Sequence, residues 1–192
     1  PFAKPVPYKR HIGKVTKPLL FANFIPFGTA VIRRACVEKC GAFDESFRMG
    51  IDWELWLRYS LDWHFAYCPE KTYVYREWSG QMSRNYVGRY EFAFKILSHF
   101  EQTFSDSVSK RDLRHAWSDM YISKGRALWQ SDKRYLGSIR DIFKGLLLQP
   151  VQLYGWKSLF KVALRLSDNS WIHRLNNIIQ ALLLRFMSVA KR

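Results

Sequence analysis

Gly41-Ala42-Phe43-Asp44-Glu45-Ser46-Phe47-Arg48-Met49-Gly50-Ile51-Asp52-Trp53-Glu54-Leu55-Trp56-Leu57-Arg58 is the most informative stretch of this chain. Gly41 suits the end of a short helix over 34–40, because glycine tolerates the left-handed conformation that closes helices. Phe43-Asp44-Glu45 then reads as a turn. Asp52 stands where a helix N-cap is expected, and Trp53, Trp56, Leu57 and Ser60 recur at spacings of three and four that put them on one face.

Upstream, Gly28-Thr29-Ala30-Val31-Ile32-Arg33 is a short β-branched run suited to a buried strand. Downstream, His64 to Cys68 and Thr72 to Arg76 read as two more strands around a turn containing Pro69. Residues 21–76 are therefore expected to be mixed α/β, within a domain over 21–85. Residues 1–20 hold Pro1, Pro5, Pro7 and Pro18 among basic side chains, and read as a linker entering that domain.

From 86 to 150 the pattern is helical. One stripe runs through Tyr90, Phe94, Leu97 and Phe100 or Glu101, and another through Trp117, Tyr121, Lys124 and Leu128. Breaks are expected at Ser105-Asp106-Ser107, Ser131-Asp132-Lys133 and Gln149-Pro150. Residues 151–192 read as basic amphipathic helices, with Trp156, Leu159, Phe160 and Ala163 interleaved with Lys157, Lys161 and Arg165. The longest apolar run there, Ala181 to Leu184, is far short of the ~20 residues that span a bilayer.

Composition limits the classes open to the chain. It has 192 residues, 48% of them hydrophobic and 17% aromatic, with eight Trp and fourteen Phe. That is material for a packed core or for a surface that stacks on sugar rings. The net charge of +15 is uneven: residues 133–192 carry eleven Lys/Arg against two acids, and residues 1–20 carry five against none. Such a surface is simply solvated, or it attracts a polyanion, either a nucleic acid or an anionic membrane. No helix-turn-helix, RRM or KH signature supports the nucleic-acid reading. His11, His64, His99, His115 and His173 pair with no cysteine at zinc-ligand spacing. Cys36, Cys40 and Cys68 form no CxxC pair, which fits a reducing cytoplasmic setting. The chain begins at Pro1 without a signal-peptide pattern and reads as a piece of something longer.

The order Asn23 to Arg34, then Cys40 to Glu45, then Gly50 to Arg58 resembles the second half of the family 2 glycosyltransferase domain, where a G-G-F-D-E turn precedes an acidic pair and an L-W-L-R helix. The resemblance implies an α/β fold, the C-terminal part of a GT-A domain, followed by an α-helical region. It also implies an inverting transferase that moves a monosaccharide from a nucleotide-sugar donor to a hydroxyl of a glycan or lipid-linked acceptor. Asp52 matches the second acid of the pair, the catalytic base of the family, and Ile51 occupies the place of the first. A carboxylate suits that work, since it can take the acceptor proton as the oxygen attacks. The competing reading of Asp52 is a helix cap alone.

By the same resemblance Gly41, Phe43, Asp44 and Glu45 shape the acceptor pocket, with Asp44 stabilising the turn. Trp53 and Trp56 either stack on sugar or belong to the core. Tyr75 to Asn85 resembles the Y-R-x-H-x-x-x-x-S segment near the donor diphosphate, with Trp78 in place of the histidine. Arg76 and Arg84 are candidates for pairing with that diphosphate, or for surface salt bridges. A divalent metal, Mg or Mn, is implied as cofactor, but none of the nine Asp residues lies two positions from another, so its D-x-D ligands are absent. This chain is therefore expected to lack the donor-binding half and to be inactive alone, in the cytoplasm or peripheral on the inner face of the membrane. The alternative is a basic membrane-surface or nucleic-acid-binding module without catalysis.

Overall fold

The structure is a computed structural model, and it describes residues 11–70, 73, 74, 76, 80, 86–132 and 134–165. The described chain is all-helical: 69% of it is helix, and it contains no strand or sheet. This corrects the α/β GT-A expectation. The chain divides into two compact units, residues 1–120 and 121–192.

The correction has a specific cause. Phe27–Thr29, expected to enter a strand, is one turn of 3-10 helix, and the backbone at Ala30 and at Arg33 is extended after it. The extended run has no ladder partner among the described residues, and Val31 is 100% exposed. A strand exists only through its neighbour, so β-branched residues without one stay extended and unpaired. The same holds for 64–68, where a single antiparallel bridge joins Phe65 to Gly13. Within the other expected strand, 72–76, only Tyr73, Val74 and Arg76 are described, and none is in a strand.

In the first unit, α1 (Thr16–Phe21), α2 (Arg34–Cys40), α3 (Ile51–Asp62), α4 (Tyr86–Phe104) and the start of α5 (Lys110–Asp132) surround one core. Residues 11–20, read from sequence as linker, belong to that core. Val15, Leu19 and Leu20 are buried. The Thr16 hydroxyl donates to the Ser60 carbonyl at 2.8 Å, and Gly13 and Phe65 exchange backbone hydrogen bonds of 2.7 and 2.9 Å. Helix α3 lies at the centre, with Trp53 through Leu57 all buried. Against it α4 packs Ile96, Leu97 and Phe100, and α5 adds Leu113, Ala116 and Met120.

The expected breaks fall where the structure ends its helices. Ser105–Ser107 is a 3-10 turn, α5 stops at Asp132, and Gln149 caps α6 (Tyr135–Leu148) before α7 (Leu153–Arg165). The Ser109 hydroxyl accepts the Asp112 amide at 3.0 Å, satisfying a free donor at the start of α5. Leu97 and Phe100 of the expected α4 row are buried, whereas the α5 row is rotated from the one expected. In α5 the buried row runs through Leu113, Ala116 and Met120, while Trp117, Tyr121, Lys124 and Leu128 are only half-buried.

In the second unit Ile122, Ile142, Leu146 and Val162 form the core. A Cβ at Gly125 would lie 2.8 Å from the Ser138 carbonyl oxygen and 2.7 Å from Ile142. Helix backbones approach that closely only where no side chain intervenes. Gly125→Ala is expected to lower stability by about 1–3 kcal/mol through overpacking, more than the ~1 kcal/mol that alanine gains in helix propensity. Gly137→Ala, whose Cβ would meet only Leu128 at 3.7 Å, is expected to be neutral or mildly stabilising. Urea denaturation of the two variants checks the contrast.

Candidate functional site

Asp52 is the second residue of α3, not its N-cap. The cap is Gly50, at φ 74°, a left-handed conformation that glycine adopts without steric cost. Asp52 therefore sits one residue further in, where the exposed N–H groups of the first turn favour an anion. Its carboxylate is held from two sides: the Trp53 amide donates to Oδ1 at 2.9 Å, and Asn23 Nδ2 donates to Oδ2 at 2.9 Å. An ionised carboxylate offers about four lone-pair directions, so these two bonds orient the group and leave acceptor capacity toward solvent.

Trp53 and Trp56 are both buried. Trp53 Nε1 donates to the Leu19 carbonyl at 2.7 Å, which ties α3 to α1. Trp56, 2% exposed, packs against Tyr59 and Phe65 and stacks under Phe27 with ring centroids 6.4 Å apart. Neither indole has an open face for a sugar ring. The exposed aromatic surface lies over Trp56 instead. Phe27 is 52% exposed and meets Phe43 edge-on at 5.4 Å, while the Tyr73 ring lies against the backbone of Gly28. Asp52 and Trp56 are one helical turn apart on α3, and Phe27 stacks on Trp56.

The turn that carries Phe43 is clamped by a residue that composition and spacing did not single out. Arg58 reaches Glu54 with two parallel bonds of 2.9 Å, and the same guanidinium donates to the carbonyls of Cys40, Gly41 (3.3 Å) and Ala42 (2.8 Å). The Tyr59 hydroxyl adds a 2.8 Å bond to the Gly41 carbonyl. Burial pushes the Tyr59 phenol above its usual value, so it remains a donor. The sequence signal for this clamp was Glu54 four residues before Arg58, a stabilising pair on any helix.

Within the turn, Asp44 Oδ1 accepts the Ser46 amide at 2.9 Å, and Glu45 is exposed. The Ser46 side chain and amide together hold the Asp44 carboxyl below the usual aspartate value. Arg76 is exposed; Arg84 and Trp78 lie outside the described residues. Among the described residues no three His, Cys, Asp or Glu side chains converge as metal ligands. The three cysteines are free thiols. Neither family models, nor curated proteins, nor solved structures yield a match to this chain.

Two outcomes test the clamp. Arg58→Met strands the Glu54 carboxylate, whose side chain is 5% exposed, and is expected to cost about 3–5 kcal/mol in chemical denaturation. Removing both charges with Glu54→Leu and Arg58→Met should restore part of that loss. For Asp44, a lowered folded pKa means that its contribution to stability is complete above about pH 4 and is lost as pH falls through the lowered value. Ser46→Ala should move the Asp44 titration, followed by carboxyl NMR, back toward the usual range.

Proposed function

We propose that this chain carries the acceptor side of an inverting family 2 glycosyltransferase, in which Asp52 is the general base. The observation that carries the reading is the Asp52 carboxylate, oriented by Asn23 and the Trp53 amide, one helical turn before Trp56, on which the exposed Phe27 stacks beside Phe43. Sugars present apolar C–H faces that lie on aromatic rings and hydroxyls that seek carboxylates, and this surface offers both.

In the proposed step the acceptor ring rests against Phe27 and Phe43 with one hydroxyl toward Asp52. That oxygen forms a bond to the anomeric carbon of a nucleotide-sugar while the bond to the diphosphate breaks on the opposite side. The proton passes to Asp52, and the diphosphate leaves with the electron pair. Arg76 and Arg84 are the proposed partners of the diphosphate charge. A divalent ion in the whole enzyme would be held by D-x-D carboxylates that this sequence does not contain.

The experiment joins this chain to a donor-binding region that ends in D-x-D and follows sugar transfer from labelled nucleotide-sugars. Asp52→Asn is expected to lower kcat by about 10²–10⁴-fold, with unchanged circular dichroism. Phe27→Ala should raise the acceptor KM and leave the donor KM as it was. Full activity of Asp52→Asn overturns the assignment of the base.

A further inference from the structure

Helices α6 and α7 each bury one apolar face and carry a second. The connection 149–152 turns the chain back, and the inner faces meet through Ile142, Leu146 and Val162. On the outer faces Leu136, Phe143 and Leu147 recur along α6, and Leu153, Trp156 and Phe160 along α7; all six are exposed. The apolar row expected from sequence at Trp156 and Phe160 is thus at the surface, while Gly155, Ser158 and Val162 are buried. Packing among the described residues of this unit accounts for only one of the two apolar faces.

The charge beside these rows has a single sign. Residues 134–164 contain five Lys/Arg, namely Arg134, Arg140, Lys144, Lys157 and Lys161, and one acid, Asp141. Asp141 is buried, and it is ion-paired with Lys124 at 3.1 Å and Arg140 at 3.3 Å. The outer surface of the hairpin therefore bears no carboxylate. Exposed leucine and aromatic rings beside lysines and arginines complement a surface that is apolar within and negatively charged at its rim. A lipid bilayer with anionic headgroups has that profile. Two copies meeting by this face would oppose like charges, which disfavours self-association.

We propose that the outer face of the α6–α7 hairpin docks on the anionic face of a lipid bilayer. The rings of Trp156 and Phe160 enter the boundary between headgroups and acyl chains, and Lys144 and Lys161 contact lipid phosphates. The contact is peripheral, since no described helix is long and apolar enough to cross a membrane. It stands independently of the transfer reaction, and its test uses no sugar.

The full chain is sedimented with phosphatidylcholine vesicles, with and without about one-third phosphatidylglycerol. The expected result is binding that rises at least ~10-fold with the anionic lipid and falls with salt. Lys144→Glu with Lys161→Glu, and separately Leu153→Ser with Phe160→Ser, should each lower it at least ~10-fold while the helical circular dichroism is retained. Equal binding to neutral vesicles, or binding that neither pair of substitutions weakens, overturns the proposal. So does self-association in sedimentation velocity that Leu153→Ser with Phe160→Ser abolishes, if lipid binding is absent.

Discussion

The bidentate pair between Arg58 and Glu54 organises the first unit. Glu54 is buried in the core face of α3, where an isolated carboxylate would be strongly unfavourable, and Arg58 answers it with two parallel bonds. Arg58 has further donors, and they reach the carbonyls that end α2. One guanidinium thus neutralises a buried charge, fixes the direction of the 41–45 turn and sets where Phe43 stands. Lysine could not serve here, since a single ammonium cannot form the planar fork and meet successive carbonyls at once.

The candidate site is built on that arrangement. Helix α3 supplies Asp52 from its first turn and Trp56 from its second, and the clamp brings the turn bearing Phe43 against the same helix. Residues 11–23 complete the frame. Val15 and Leu19 fill the core beneath α3, the Leu19 carbonyl receives the Trp53 indole, and Asn23 reaches the carboxylate itself. A carboxylate held in place by its neighbours needs little reorganisation to accept a proton, and this is the physical basis of the role proposed for it.

The second unit follows a different logic. Gly125 lets α5 and α6 meet at backbone distance, and the few residues of its core are aliphatic. Much of the remaining apolar surface faces outward among bases: of the sixteen large hydrophobic side chains exposed among the described residues, eight lie between Leu136 and Phe160. That concentration is the basis of the proposed lipid contact, since exposed apolar side chains scattered singly need no partner.

Local signals were legible in the residues. The helices from 86 onward, their breaks at 105–107, 131–133 and 149–150, and the end of α2 at Gly41 follow from periodicity and from glycine, proline and serine, which act within a turn of chain. Asp52 was legible as a first-turn carboxylate, though Gly50 takes the cap because only glycine enters the left-handed conformation freely. What the residues could not decide were features that depend on distant partners. Val31 and its neighbours have the composition of a strand, but a ladder requires a second segment, and none pairs with them in the described chain. Likewise the phase of the α5 and α7 stripes, the inclusion of 11–20 in the core, the burial of Trp53 and Trp56 and the reach of Arg58 to Cys40 were settled by packing. Apart from α1, sequence determined where helices start and stop to within a residue or two, because those are short-range events; tertiary structure determined which faces they bury and which side chains meet, because those depend on neighbours far along the chain.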